Sequence, residues 1–238
     1  MSGHSKWSTI KRKKGAADAK RGQIFTRHAR MITLAAKQGG GNPEMNFALR
    51  LAIDNARNVN MPNDTIERAI KKGAGEGGAD SVQSVVYEAY GPANVAFLIE
   101  GVTDNTNRTL TDVKQALTKN GGSLGQGGTV AWQFARRGVL SFPTSAKKDD
   151  LELALIEAGA DEIEVQADMV VVYTAPDSLQ EVQKALSEAS VEVEDSEITM
   201  LPNDPVEVSE DDQRRVNQLV EALEEVDDVV SVTTTMSA

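Results

Sequence analysis

The sequence predicts an α+β fold in three domains, a helical one at the N-terminus and two α/β ones behind it. Three observations carry this. Apolar residues recur at spacings of three and four through residues 17–72, as amphipathic helices require. Glycines at 73, 75, 77 and 78 then interrupt the pattern. Beyond them, short β-branched runs alternate with helical segments to the end of the chain.

Residues 1–16 read as a mobile basic tail. They hold Lys6, Lys11, Arg12, Lys13 and Lys14, with Trp7 and Ile10 as the only large apolar side chains after Met1. Such a segment buries too little surface to offset its ordering entropy. Residues 17–75 read as a helical basic domain. Its first helix, about 17–37, places Ile24, Phe25, His28, Met31, Ile32 and Ala35 on one face. Gly39-Gly40-Gly41 ends that helix, and Asn42-Pro43 offers an N-cap and a first-turn proline for the second. The second helix carries Met45, Ala48, Leu49, Ala52, Ile53, Ala56 and Val59 on one stripe, and Met61-Pro62 breaks it. The third, about 63–72, turns Ile66, Ala69 and Ile70 inward with Gly73 as C-cap. Gly73 to Gly78 reads as a flexible joint that lets this head move.

The body alternates strands and helices. Strands at 85–90 and 95–101 flank Gly91-Pro92 as a hairpin, followed by a helix over 106–120 closed by Gly121-Gly122. Strands at 131–134 and 138–142 flank Arg136-Arg137, read as a hairpin tip. A helix at 151–158, strands at 163–166 and 169–174, a helix opened by a Ser178/Glu181 capping box and a strand at 191–201 follow. If the first two of these strands are one, residues 131–205 form a β-α-β-β-α-β ferredoxin-like domain. Ser209/Asp212 suggests a further capping box, opening a helix with Val216, Leu219, Val220, Leu223 and Val226, before a last strand at 229–234. That helix and strand lack a module of their own. They return to complete residues 79–130, so that 79–130 plus 206–238 form one discontinuous α/β domain.

Charge separates the same regions. Residues 1–75 hold 15 Lys and Arg against 5 Asp and Glu, and the remaining 163 residues hold 10 against 31. A basic head on an acidic body points to a polyanionic partner, nucleic acid first, although the whole chain carries −11. With no cysteine, disulfides and thiolate metal sites are excluded. Only two histidines are present, and no metal or cofactor is expected. No long apolar run predicts a membrane span and no apolar stretch follows the basic start, so a cytoplasmic protein is expected. There is no Walker A pattern, and the glycine cluster follows a helix rather than a strand, so no dinucleotide loop is expected either. Nothing assigns a catalytic residue, and the chain is read as a non-enzyme.

A resemblance adds to this. Gly3-His4-Ser5-Lys6-Trp7, Asp18-Ala19-Lys20-Arg21-Gly22, Gly39-Gly40-Gly41-Asn42-Pro43 and Ala69-Ile70-Lys71-Lys72-Gly73 resemble segments of the YebC family. So do Tyr87-Glu88-Ala89-Tyr90-Gly91-Pro92, Thr103-Asp104-Asn105-Thr106-Asn107-Arg108-Thr109 and Val130-Ala131-Trp132-Gln133-Phe134. The likeness runs in order through essentially the whole chain. Thr106, where Arg or Lys is usual, and Met31, where Glu is usual, depart from the pattern. The resemblance implies a helical domain and two ferredoxin-like α/β domains, the middle one completed by the C-terminus. It implies a DNA-binding transcriptional regulator, or a translation factor acting on ribosomal RNA at the ribosome that supports elongation through proline-rich sequences.

The expected nucleic-acid contacts are Lys6, Lys11, Arg12, Lys13, Lys14, Lys20, Arg21, Arg27, Arg30, Lys71 and Lys72, because cationic side chains continue from the tail through the first helix. The second and third helices form a weak helix-turn-helix signal, which any helical bundle can produce. The loop with Asp104, Asn105, Asn107 and Arg108 is a candidate functional loop, since a helix N-terminus favours an anion. The alternative is that its Asn and Thr side chains only cap the helix. The oligomeric state is not legible.

Overall fold

The computed structural model describes residues 21–75, 82–146 and 151–237. Three helices form the head: α1 (Arg21–Gly39), α2 (Phe47–Asn58) and α3 (Asn63–Gly73). The body runs β1 (Gln83–Tyr90), β2 (Ala96–Thr103), α4 (Thr106–Lys119), β3 (Ser123–Leu124), β4 (Phe134–Pro143) and α5 (Leu151–Glu157). It continues with β5 (Ala160–Val165), β6 (Met169–Thr174), α6 (Leu179–Glu188), β7 (Asp195–Pro202), α7 (Glu210–Glu224) and β8 (Val229–Thr234). The fold is thus mixed helix and sheet, a helical region followed by two small antiparallel sheet domains. These divide into two compact units, residues 135–201 and the described residues of 21–134 with 202–237.

The head's core is Ile32, Ala36, Leu49, Ala52, Ile53, Ala56, Met61, Ile66 and Ala69. Its second helix starts later than the sequence suggests. Asn42 to Met45 form a turn closed by the Met45 N–H on the Asn42 carbonyl at 3.1 Å. Asn46 is the N-cap, its Oδ1 accepting from Leu49 N–H at 3.0 Å, while its Nδ2 donates to the carbonyls of Ala35 at 2.8 Å and Gly40 at 2.9 Å. One buried amide thus closes one helix and opens the next. Met45 consequently falls outside the helix and stands 83% exposed, and Met31, expected inward, is also exposed.

Gly73 is not a left-handed cap. It is the last residue of α3 and is buried where a Cβ would collide with the Thr33 carbonyl oxygen and the Ala36 methyl of α1. The absent side chain sets the approach of the two helices. Residues 76–81 of the expected joint lie outside the described residues. The head itself is not a separate body. Arg27 Nη2 donates to the Glu224 carbonyl at 3.2 Å, and Lys37 Nζ donates to the Val82 carbonyl at 2.9 Å. Through α1 the head thus belongs to one compact unit with the first sheet.

The first sheet has the order β3-β1-β2-β8, with every pair antiparallel. Ala93 (φ 54°) and Asn94 (φ 60°) turn the β1–β2 hairpin. Gly91 is needed there because a Cβ would enter the Phe97 ring. Phe97, Ile99, Val113, Leu117, Val216, Leu219 and Leu223 share one core, so α4 and α7 cover the same face of the sheet. The C-terminal return is fixed by Ala96, whose N–H donates to Thr235 Oγ1 and whose carbonyl accepts the Thr235 N–H, both at 3.1 Å. The Ser209 cap is present, Oγ accepting the Asp212 N–H at 3.2 Å.

The second sheet has the order β5-β6-β4-β7. With α5 between β4 and β5 and α6 between β6 and β7, this is the β-α-β-β-α-β order. Two details differ from the sequence reading. Residues 131–133 are a 3₁₀ turn, and β4 runs unbroken through Arg136-Arg137, which is not a hairpin tip. Ser178 makes no side-chain cap, because it lies in a 3₁₀ turn with helical φ and ψ. Register places Leu140, Phe142, Val170 and Val172 on one sheet face, all buried. A Cβ on Gly138, on that same face, would touch Leu179 of α6.

Gly73→Ala forces α3 away from α1 and should destabilise the head by about 1–3 kcal/mol, as overpacking does. Thermal unfolding followed by far-UV circular dichroism checks this. An unchanged melting temperature would show that the helices are not held at this distance.

Candidate functional site

Most of the expected nucleic-acid contacts cannot be placed: Lys6, Lys11, Arg12, Lys13, Lys14 and Lys20 lie outside the described residues, as does the side chain of Arg21. Lys71 and Lys72 are exposed in the last turn of α3, where the helix dipole favours cations. Arg27 and Arg30 are different. Both are half-buried and turned into the fold, Arg27 on the Glu224 carbonyl and Arg30 on Asp228. Burial pushes the Arg27 guanidinium below its ordinary pKa, against the attraction of Glu224.

Asp228 is the centre of a buried cluster. Its side chain is 3% exposed. Its Oδ2 accepts from Thr109 Oγ1 at 2.7 Å, Arg108 Nη2 at 2.8 Å and Thr103 Oγ1 at 3.1 Å. Its Oδ1 faces Arg30 Nη2 at 2.8 Å, at an angle that makes an ion pair rather than a hydrogen bond. Burial alone would raise this carboxyl's pKa. The hydroxyl of Thr109, the Arg108 guanidinium, the Arg30 charge and the Thr103 hydroxyl outweigh it and hold the pKa below its ordinary value.

The 103–109 loop is built around that carboxylate. Asn105 N–H donates to Thr103 Oγ1 at 2.9 Å, and Asn105 Oδ1 accepts the Arg108 N–H at 3.1 Å as the N-cap of α4. Arg108 also pairs with Asp104 at 2.9 Å. These backbone donors are therefore satisfied from within the loop, and Arg108 is neutralised twice. Asn105 thus caps α4, as the capping alternative expects, and Asn107 is exposed. Beside it lies a cleft of about 680 Å³ whose lining mixes Arg30, Arg108 and Lys119 with Asp104, Asp112 and Asp227. Among the described residues, no cluster of His, Cys, Asp or Glu has the geometry to hold a metal ion.

A second buried carboxylate shapes another loop. Glu88 of β1 accepts backbone N–H groups of Gly128 at 2.6 Å, Val130 at 2.6 Å and Ala131 at 2.8 Å. Burial raises its pKa, but those donors outweigh it and leave the pKa lowered. The next residue, Trp132, is 72% exposed. Asp228, Glu88 and Trp132 are the residues that periodicity passes over. The signal for Asp228 is an acid directly before a buried β-branched strand. That for Glu88 is an acid in a strand beside a distant glycine-rich loop.

Comparison with known proteins agrees along the whole chain. The family described as "TACO1/YebC protein N-terminal domain" matches residues 5–76, and "TACO1/YebC second and third domain" matches residues 82–236. A protein of Acidithiobacillus ferrooxidans is 49% identical over 232 residues, covering 98% of this chain and 93% of its own. One of Pelotomaculum thermopropionicum is 48% identical over 235 residues, covering 98% and 97%. Both are named probable transcriptional regulatory protein. The crystal structure of a conserved hypothetical protein, Aq1575 from Aquifex aeolicus, aligns with a TM-score of 0.86 at 40% identity, covering 98% of this chain and 96% of that one.

Removing the buried carboxylate with Asp228→Ala strands the cations and hydroxyls around it. It should cost about 3–5 kcal/mol, read from the urea midpoint. The pH dependence has a fixed sign. Because the folded-state pKa is depressed, the stabilisation is full above the ordinary carboxylate pKa of about 4 and is lost as pH falls through the lowered value. Asp228→Asn should therefore flatten the acid limb of stability against pH; an identical limb would contradict the assignment.

Proposed function

The chain belongs to the TACO1/YebC family, and on that premise we propose that it is a non-enzymatic, nucleic-acid-binding regulator of gene expression acting in the cytoplasm. The observation that carries this reading is the charge division, 15 cations against 5 acids in the first 75 residues and 10 against 31 in the rest. Relatives named as transcriptional regulatory proteins support the regulatory role. The contacting groups are Lys6, Lys11, Arg12, Lys13, Lys14, Lys20 and Arg21, with Lys71 and Lys72 at the end of α3. Arg27 and Arg30, also in the expected set, bond within the fold as well, to the Glu224 carbonyl and Asp228. Lysine dominates this set and meets phosphate as a point charge, so backbone and shape are recognised rather than a long base sequence.

One observation favours structured RNA at the ribosome over a DNA operator. The exposed N-terminal turn of α3 carries Asp64, ion-paired with Arg68 at 3.0 Å, and Glu67 lies one turn along. That end of a recognition helix would meet base edges, and carboxylates there oppose phosphate approach.

If about six phosphates are contacted, the logarithm of affinity should fall with the logarithm of salt at a slope of roughly −4 on single strands to −5.5 on duplex DNA. Replacing Lys11, Arg12, Lys13 and Lys14 by Gln in the full chain should flatten that slope markedly. Titrations of labelled duplex DNA and of ribosomal RNA at several salt concentrations measure it. An unaltered slope would place the binding surface elsewhere.

A further inference from the structure

The body is acidic, but not evenly so. Residues 113–148 contain Lys114, Lys119, Arg136, Arg137, Lys147 and Lys148 and no acid, while the rest of the body holds four cations against 31 acids. Near the middle of that segment stands Trp132, at 72% exposure. A tryptophan left in water forgoes the largest burial any side chain offers, so its surroundings are informative.

Those surroundings fix the backbone and leave the ring free. Val130 and Ala131 donate their N–H groups to the buried carboxylate of Glu88 at 2.6 and 2.8 Å. The Trp132 carbonyl accepts from Asn203 Nδ2 at 3.0 Å, and the Gln133 carbonyl accepts the Asn203 N–H at 2.8 Å. The indole N–H is already spent on the Thr129 carbonyl at 3.1 Å. What the ring still offers is its π face, without a donor that demands a partner. Gly127 and Gly128 of the same loop have open space where side chains would stand. Lys114 and Lys119 are exposed on α4, the helix that leads into this loop.

We propose that Trp132 stacks on an unpaired base of the bound nucleic acid, making the loop at residues 125–133 a second contact point apart from the basic head. The inference rests on the nucleic-acid binding proposed above and narrows its target to strands with unpaired bases. Stacking needs a flat apolar face, a cationic neighbourhood to bring the phosphates near, and a support that is ordered before binding. The loop supplies the flat face and the ordered support, and the acid-free stretch of sequence on either side of it, residues 113–148, carries the cations. A basic protein partner would instead call for acids in this stretch of sequence, and residues 113–148 have none.

The chain has two tryptophans, Trp7 and Trp132, so Trp7→Phe leaves an emission that reports Trp132 alone. This full-length variant is titrated with an end-labelled single-stranded RNA and with a blunt RNA duplex of equal length. Label anisotropy reports binding and tryptophan emission reports stacking. The proposal expects both RNAs to raise anisotropy while only the single strand quenches emission. Trp132→Ala should weaken single-strand binding roughly 5- to 150-fold with little effect on the duplex, and Trp132→Phe should restore most of it. Binding of the single strand with unchanged emission overturns the stacking and leaves the head's role intact. Quenching by a poly-arginine peptide but by neither RNA also overturns it, assigning the ring to a protein. No anisotropy change with any nucleic acid at low salt removes the proposed function and this inference together.

Discussion

A single buried carboxylate joins parts of this chain that lie far apart in sequence. Asp228 sits at the entrance to the last strand, with Arg30 from the head on one oxygen and Thr103 of β2 with Arg108 and Thr109 of α4 on the other. A carboxylate taken out of water is stable only if its lone pairs are met, and a missing partner leaves an uncompensated charge. Head helix, loop, helix N-terminus and returning C-terminal strand must therefore assemble together. This explains why the head forms one compact unit with the first sheet, although a basic helical domain before an acidic one reads as separable.

The same arrangement divides the head's cations into two sets. Arg27, Arg30 and Lys37 reach partners within their own unit, the Glu224 carbonyl, Asp228 and the Val82 carbonyl. Lys71 and Lys72 face solvent. A stretch of positive sequence is thus not one uniform surface: the half-buried cations of α1 are held by partners in the fold, while those at the end of α3 are exposed. Two half-buried cations in the middle of α1 place a structural seam along one of its faces.

Much of the fold was legible because it follows local rules. Period-3.6 stripes gave the three head helices, β-branched runs gave the strands, and Ser209 with Asp212 marked the start of α7. Where the reading failed, a distant group had decided. Asn42-Pro43 looks like a helix start, but Asn46 gains three bonds by capping α2 from inside the head. Gly73 looks like a C-cap, but α1 requires it to lack a side chain. The 103–109 loop looks like an anion site because its Asn and Thr residues precede a helix. That those groups converge on Asp228, more than a hundred residues later, is not encoded in any local spacing. Glu88 is hidden for the same reason, its three donors lying some forty residues downstream.

If Asp228 is what assembles this unit, perturbing it must be felt at every segment it joins. Native-state hydrogen exchange on the full chain, with and without Asp228→Asn, measures this directly. The substitution keeps the shape but presents an amide nitrogen either to Arg30 or to the three donors on the other side. Protection should fall together in residues 21–39, 103–109 and 229–234. Loss confined to residues beside position 228, with α1 still fully protected, would contradict the account.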